Sequence, residues 1–342
     1  MRARSVVVLG ALGALACRDI AGIKPIAYSD AGTSACNAPA PTELHTSGVQ
    51  YTTIYAGGGF VYLESLGGVE RCPESGCMSG TSPVFTVGAS ATFGGSALAG
   101  SVVDYSQTDS TSTGQIHSVN VDGTNDQTLA SSLEDPFYLA SSGSKLFWVD
   151  DAYSSGSGTA MDSVGCIGCS GTGSVPWISS AAFAGGIYAI TADANMVYVL
   201  ADDANIVNYR LVACSTATAC GASPTVLVPS VDPSTVGTQL ASDGTYAYLA
   251  RPDHADVVRI DKSGNLVQLV TSQDVAAIAV DAAAGNLYFG TSTGTIGRVS
   301  TAGGGTMTTI TCVPDPIVAM TVGGAVFFLA GQLGGTLYSI PK

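Results

Sequence analysis

The sequence predicts an all-β protein of seven four-stranded units closed into a ring, and three observations predict it. First, a short phrase returns seven times: a small or polar position, an apolar residue, any residue, Arg or Ser, then an apolar residue. Its central positions are Arg71, Ser118, Ser163, Arg210, Arg259, Arg298 and Ser339, recurring at roughly 40–50 residues, the period of a four-stranded propeller blade. Second, an aromatic run precedes the phrase, as in Val61-Tyr62-Leu63, Leu146-Phe147-Trp148, Val197-Tyr198-Val199, Leu287-Tyr288-Phe289 and Val326-Phe327-Phe328. Third, a run of small residues comes before the aromatic one, as in Leu139-Ala140-Ser141, Leu240-Ala241-Ser242 and Ile278-Ala279-Val280. Small side chains suit the first strand, where seven strands crowd around one axis. Large rings suit the second, where neighbouring blades must be filled against each other. Evenly spaced turns would also suit a β-sandwich, but seven copies of one register point to a seven-bladed β-propeller, which absorbs 342 residues as one closed array.

Taken in order, the chain opens on two arginines, Arg2 and Arg4, followed by a short apolar run up to Ala16 and then Cys17. A basic start before a short apolar run is a secretory signal, too short to span a bilayer. Two cleavage readings compete: Ala14-Leu15-Ala16 as an A-x-A site releasing a soluble protein, or Ala14 to Cys17 as a lipobox with acylated Cys17 as the first mature residue. Nine cysteines leave one over, and setting Cys17 aside leaves an even number suited to an oxidising compartment. The expected organisation is therefore a signal peptide over 1–16, a lipid-anchored tether and closing segment over 17–48, and the propeller over 49–342.

The tether is rich in Pro, Ala, Ser and Thr without periodicity. From Gln50 the pattern turns to alternating β runs punctuated by Gly and Asp, with no sustained helical period. The second repeat is the least regular, carrying Val103-Asp104-Tyr105 in its aromatic slot. The final repeat supplies only three strands, and an unpaired edge is an aggregation hazard. The segment before Gln50 is expected to supply the missing strand and close the first repeat onto the last.

Three cysteine pairs, Cys72/Cys77, Cys166/Cys169 and Cys214/Cys220, sit at one place in the repeat, each clipping the turn between third and fourth strands. The spacing of Cys166 and Cys169 is formally a CxxC, but it has neither a βαβ context nor a second ligand pair. Cys36 and Cys312 are left to pair with each other by elimination.

The turn phrases Asp281 to Phe289 and Lys145 to Asp150 resemble the NHL and YWTD β-propeller repeats, and the resemblance covers nearly the whole chain from Gln50. It implies a binding platform in general, with some relatives acting as lyases or lactonases through His, Glu and a divalent metal in the central funnel. No set in this sequence matches those enzyme residues.

Charge narrows the partners. The formal net charge is −14 with only 12 Lys and Arg, and no basic cluster is present to release counterions from a polyanion, so nucleic acid is excluded. No G-x-S-x-G elbow frames a serine for a triad. Of the three histidines, His45, His117 and His254, only His254 falls in a mouth loop, between Arg251 and Asp256. The connections from second to third strands open on one face and carry Asp109, Asp150, Asp151, Asp202, Asp203, Asp253 and Asp256, which with Arg251 and His254 form the candidate binding face. Converging aspartates have the hard oxygen ligands that Ca²⁺ takes, although no D-x-D-x-D-G loop is present and Asp is also a turn residue.

The reading is an exported, lipid-anchored binding module, periplasmic or at the outer membrane or cell surface, engaging a protein or glycan partner and touching membrane only through its anchor. The alternatives are a secreted soluble form, a metal-dependent propeller lyase or lactonase, and a purely structural envelope protein. A funnel with His or Glu ligands would favour the enzyme; a channel of small residues would favour the platform. Neutralising Asp150, Asp151, Asp202 and Asp203 is expected to weaken binding without altering the melting temperature.

Overall fold

A computed structural model describes residues 38–110, 113–150, 162–169, 173–183, 185–202, 208–231, 239–251, 254–331 and 335–342. The signal segment, Cys17, Cys36, Asp151, Asp203 and Asp253 lie outside the described residues.

The first strand among the described residues, β1 (Thr42–Thr46), belongs to the last blade. Blade one is β2 (Tyr51–Gly57), β3 (Phe60–Ser65), β4 (Gly68–Pro73) and β5 (Ser82–Thr86). Blade two is β6 (Ala91–Ala99), β7 (Val102–Asp109), β8 (Gly114–Asn120) and β9 (Gln127–Leu133). Blade three is β10 (Pro136–Ser142), β11 (Lys145–Asp150), β12 (Ser163–Ile167) and β13 (Ser174–Ile178), and blade four is β14 (Ile187–Ala192), β15 (Met196–Asp202), β16 (Tyr209–Ser215) and β17 (Thr225–Val231). Blade five is β18 (Leu240–Ser242), β19 (Ala247–Arg251), β20 (Asp256–Ile260) and β21 (Leu266–Val270); blade six is β22 (Val275–Asp281), β23 (Asn286–Thr291), β24 (Thr295–Ser300) and β25 (Thr308–Cys312). Blade seven is β26 (Ile317–Val322), β27 (Val326–Ala330) and β28 (Thr336–Ile340), completed by β1, which pairs antiparallel with β28 from Thr42 opposite Ser339 to Thr46 opposite Thr336. The fold is a seven-bladed all-β propeller, closed by the early segment as the unpaired edge requires.

The aromatic slot fills the seams. Tyr62, Phe147, Tyr198, Tyr248, Tyr288 and Phe327 are all fully buried, and each joins a cluster that spans two blades. Non-directional burial of rings this large dominates the attraction between sheets that share few backbone hydrogen bonds. The glycine in blade six's phrase has a packing reason. Gly297 lies opposite Phe289 in the ladder, and a Cβ there would meet the Phe289 ring at 2.2 Å, so the ring lies over a bare backbone.

The repeating phrase falls in one register in five blades, where its central residue faces the aromatic slot: Arg71 opposite Tyr62, Ser118 opposite Asp104, Arg259 opposite Tyr248, Arg298 opposite Tyr288 and Ser339 opposite Phe327. In blades three and four the register differs from the sequence reading. Phe147 faces Cys166, and Tyr198 faces Ala213, so Ser163 and Arg210 sit three residues too early. Both chains ahead of these strands are long connections, which let a similar string of residues fall at another height in the ladder.

The arginines act as staples between blades. Arg71 donates to the Val121 carbonyl of blade two at 2.8 Å while its guanidinium lies 5.0 Å over Phe60. Arg259 repeats this, donating to Thr301 O of blade six with its guanidinium 4.3 Å over Tyr246. Lys145 reaches Thr216 O of blade four in the same way.

Cys72 is bonded to Cys77, Cys166 to Cys169 and Cys214 to Cys220, with Cα separations of 5.4, 6.0 and 5.8 Å. The first cysteine of each pair lies within its third strand rather than after it, so each bond ties strand to turn. Cys312 is also disulfide-bonded, to a residue outside the described ones.

Candidate functional site

An antiparallel four-stranded blade puts its second-to-third connection, and its link to the next blade, at one end. The first-to-second and third-to-fourth turns lie at the other, so the disulfides mark one face and the candidate mouth the opposite one.

At the mouth the aspartates divide by burial. Asp202 is 6% exposed and accepts hydrogen bonds from Gly186 N at 2.8 Å and from the Tyr188 hydroxyl at 3.1 and 3.2 Å. Asp256 is 1% exposed; Arg251 grips it through Nε at 2.8 Å and Nη2 at 2.5 Å, and Gln268 adds a bond of 2.7 Å. Asp150 accepts the backbone N–H groups of Glu134 and Asp135 at 3.2 and 3.3 Å. Burial raises the Asp150 pKa, the two N–H groups pull it back, and the neighbouring carboxylates Glu134 and Asp135 push it up. Asp162, which the sequence reading left aside, is buried and accepts Ile187 N at 2.8 Å.

Asp150, Asp162 and Asp202 close the links between blades by accepting backbone N–H groups, an obligatory task for buried backbone, while Asp256 is held by the side chains of Arg251 and Gln268. Asp150 and Asp202 hold neighbouring backbone in this way, so neutralising them is expected to lower stability as well. Replacing Asp202 with Ala should cost about 2–4 kcal/mol, because Gly186 N and Tyr188 Oη lose a charged acceptor. Denaturant unfolding checks this, and an unchanged midpoint would refute the role.

The mouth is acidic through other residues. Asp109 is exposed, its Oδ1 accepting Thr113 N at 3.0 Å. Glu134, Asp274 and Asp315 are exposed on the links between blades, with His254 also exposed. Sequence reasoning missed Glu134, Asp274 and Asp315 because it counted only second-to-third-strand loops. The links between blades open on the same end, and topology alone would have added them.

The inner strands enclose a central channel of about 330 Å³. Its walls include Ala56, Ser96, Ala140, Ser141, Ala192 and Thr321, and Tyr55 is the one ionisable side chain among its lining residues. Behind that wall, in the seam between blades one and two, Glu64 is 9% exposed and receives Ser96 N at 3.1 Å and Ser96 Oγ at 2.5 Å. Ser96 Oγ in turn lies 2.8 Å from the Tyr55 hydroxyl. Burial pushes the Glu64 pKa up to about 7, against the pull of the two Ser96 bonds, and burial beside Glu64 pushes the Tyr55 phenol well up.

The other histidines are elsewhere. His117 is sandwiched against Tyr105 at 4.9 Å and contacts Asp126 at 3.1 Å on the outer part of blade two. His45 is buried in β1, 6.4 Å from Tyr51. Among the described residues, no three His, Cys, Asp or Glu side chains converge in a set able to hold a metal ion.

No known protein family and no curated protein matches the chain. Solved structures do match its fold. Virginiamycin B lyase from Staphylococcus aureus is similar at 12% identity and a TM-score of 0.59, over 88% of this chain and 98% of that one. A chain of the mitotic checkpoint complex is similar at 9% identity and a TM-score of 0.62, over 92% and 99%. The extracellular domain of a candidate hybrid two-component system from B. thetaiotaomicron is similar at 11% identity and a TM-score of 0.61, over 88% of this chain but 40% of that one.

Proposed function

We propose that this propeller is a non-catalytic binding module of an exported, lipid-anchored protein of NHL/YWTD type, engaging a protein or glycan partner at the cell envelope through its acidic mouth. The observation that carries the reading is the channel: alanines, serines, threonines and aliphatic side chains line it beside Tyr55, with no carboxylate, imidazole or cation among its lining residues. A lyase or lactonase working in the funnel needs acid–base or metal-binding groups there. The mouth, by contrast, presents Asp109, Glu134, Asp274 and Asp315 on connections held by a rigid ring, and loops on a rigid scaffold are where binding concentrates. Local cystines in three blades support residence in an oxidising compartment, and acylation of Cys17 supplies the membrane affinity that an acidic domain lacks.

The test measures binding of the purified protein to intact envelope preparations and to immobilised glycans. Glu134→Lys with Asp315→Lys should weaken binding several-fold while unfolding stays at the wild-type temperature, since neither side chain holds a neighbouring backbone. Equal binding by the double variant would overturn the mouth assignment. In the same preparations Cys17→Ser should move the protein into the soluble fraction; identical fractionation would remove the anchor and leave the binding result standing.

A further inference from the structure

We propose a second binding site, for a hydroxylated carboxylate such as a uronic acid, in the concavity around Arg298 of blade six. It is independent of the mouth reading and lies toward the opposite, disulfide-bearing end of the ring.

Of 12 Lys and Arg in the chain, Arg2, Arg4, Arg18 and Lys24 precede residue 38, which leaves eight among the described residues. Six have a partner: Arg71, Lys145, Arg210 and Arg259 bind backbone carbonyls, Arg251 holds Asp256, and Lys342 lies 3.0 Å from Asp281. Lys262 is exposed in a turn. Arg298 is half-buried, and no hydrogen bond or ion pair within the described residues takes up its guanidinium.

Two departures from the repeat leave it so. In blades one and five the equivalent arginine lies over a ring two residues before the slot tyrosine, Phe60 before Tyr62 and Tyr246 before Tyr248. In blade six that position is Asn286, so an amide stands where the ring would be. The equivalent arginine also donates to the first carbonyl past the third strand of the next blade, Val121 O or Thr301 O. In blade seven the outer strand is β1, from earlier in the chain, and the first carbonyl past its third strand, that of Pro341, takes no hydrogen bond from Arg298 among the described residues. The result is a concavity of about 490 Å³ lined by Asn286, Arg298, Ser300, Gly305, Thr306 and Thr308, with Val299 at its edge. Beside it in the ladder, opposite Arg298, the hydroxyl of fully buried Tyr288 has no partner.

The lining chooses the ligand. A guanidinium fork matches the two oxygens of one carboxylate. A single cation in a protein of net charge −14 does not suit a dianionic phosphate or a polyanion. Three hydroxyl side chains and an amide are donors and acceptors for hydroxyls flanking the carboxylate.

Isothermal titration of the full chain with sodium glucuronate, glucose and inorganic phosphate tests the proposal. Saturable glucuronate binding is expected, with none for glucose. Arg298→Gln should weaken it at least tenfold, and so should Asn286→Phe, which restores the ring of blades one and five and refills the cleft. Both variants should unfold at the wild-type temperature; if Arg298→Gln is unstable, Asn286→Phe decides. No glucuronate binding by the wild type, or undiminished binding by the variants, would overturn the site. Phosphate binding as tight as glucuronate would overturn the ligand class.

Discussion

Replacing Cys36 or Cys312 with serine should lower the stability of the propeller more than opening any of the local cystines. Cys312 is disulfide-bonded, and the other six described cysteines are bonded among themselves. One residue away, Thr311 Oγ1 donates to Pro39 O, which brings the chain just after Cys36 alongside the end of blade six. A bond between Cys36 and Cys312 would tie the segment leading into β1 to the blade beside the one it completes. Closing so long a loop restricts the unfolded chain by about 5 kcal/mol in the chain-entropy model, well above the value for a clip of a few residues. Non-reducing peptide mapping should recover a Cys36–Cys312 peptide, and chemical unfolding of Cys312→Ser should show the loss. A Cys312 recovered in any other pairing would defeat the prediction.

Glu64→Gln should stabilise the protein at pH 8 and flatten its pH dependence. The Glu64 pKa stands at about 7 in the folded protein and in the ordinary carboxylate range when unfolded. Folding therefore favours the protonated form. The sign follows: the folded state holds more protons between the two values, so stability is greatest below the unfolded value. It falls as pH rises toward about 7 and levels off above it. The span corresponds to about 3 kcal/mol. Glutamine keeps an acceptor for Ser96 N and Ser96 Oγ and carries no charge into the seam, so the penalty disappears. Because other carboxylates titrate too, the reading is the difference between variant and wild type in denaturant unfolding from pH 5 to pH 8.5. Parallel curves for the two proteins would show that Glu64 does not carry the shift.

The acidic mouth shows how far the candidate site was legible. Asp is both a turn residue and a ligand, and a one-dimensional pattern cannot separate a carboxylate that faces water from one that holds a backbone. Asp202 and Asp109 both end second strands, yet Asp202 is buried and meets Gly186 N and Tyr188 across the link from blade three, while Asp109 is exposed and accepts Thr113 N of its own turn. The difference lies in what the preceding connection places beside the strand end. That connection also carries the exposed acids Glu134 and Asp315 that a strand-by-strand reading passed over.

The number of blades, the four-strand order within each, the closure of the last blade by an early segment and the local cystine pairs are all legible along the chain. The blades, their strand order and the cystines rest on periodicity and short spacings, which act between residues near in the chain or alike in every repeat, and the closure follows from the need to satisfy an open edge. The shifted register of blades three and four, the backbone held by Asp150 and Asp202 and the surroundings of Arg298 emerge only in the packed ring. Each depends on which group a neighbouring blade presents. Arg71 finds its acceptor 50 residues on, at Val121, whereas among the described residues no carbonyl of blade seven accepts from Arg298. A repeat encodes what every blade shares, whereas the partner of a side chain in a seam belongs to two blades at once and is settled only when the ring closes.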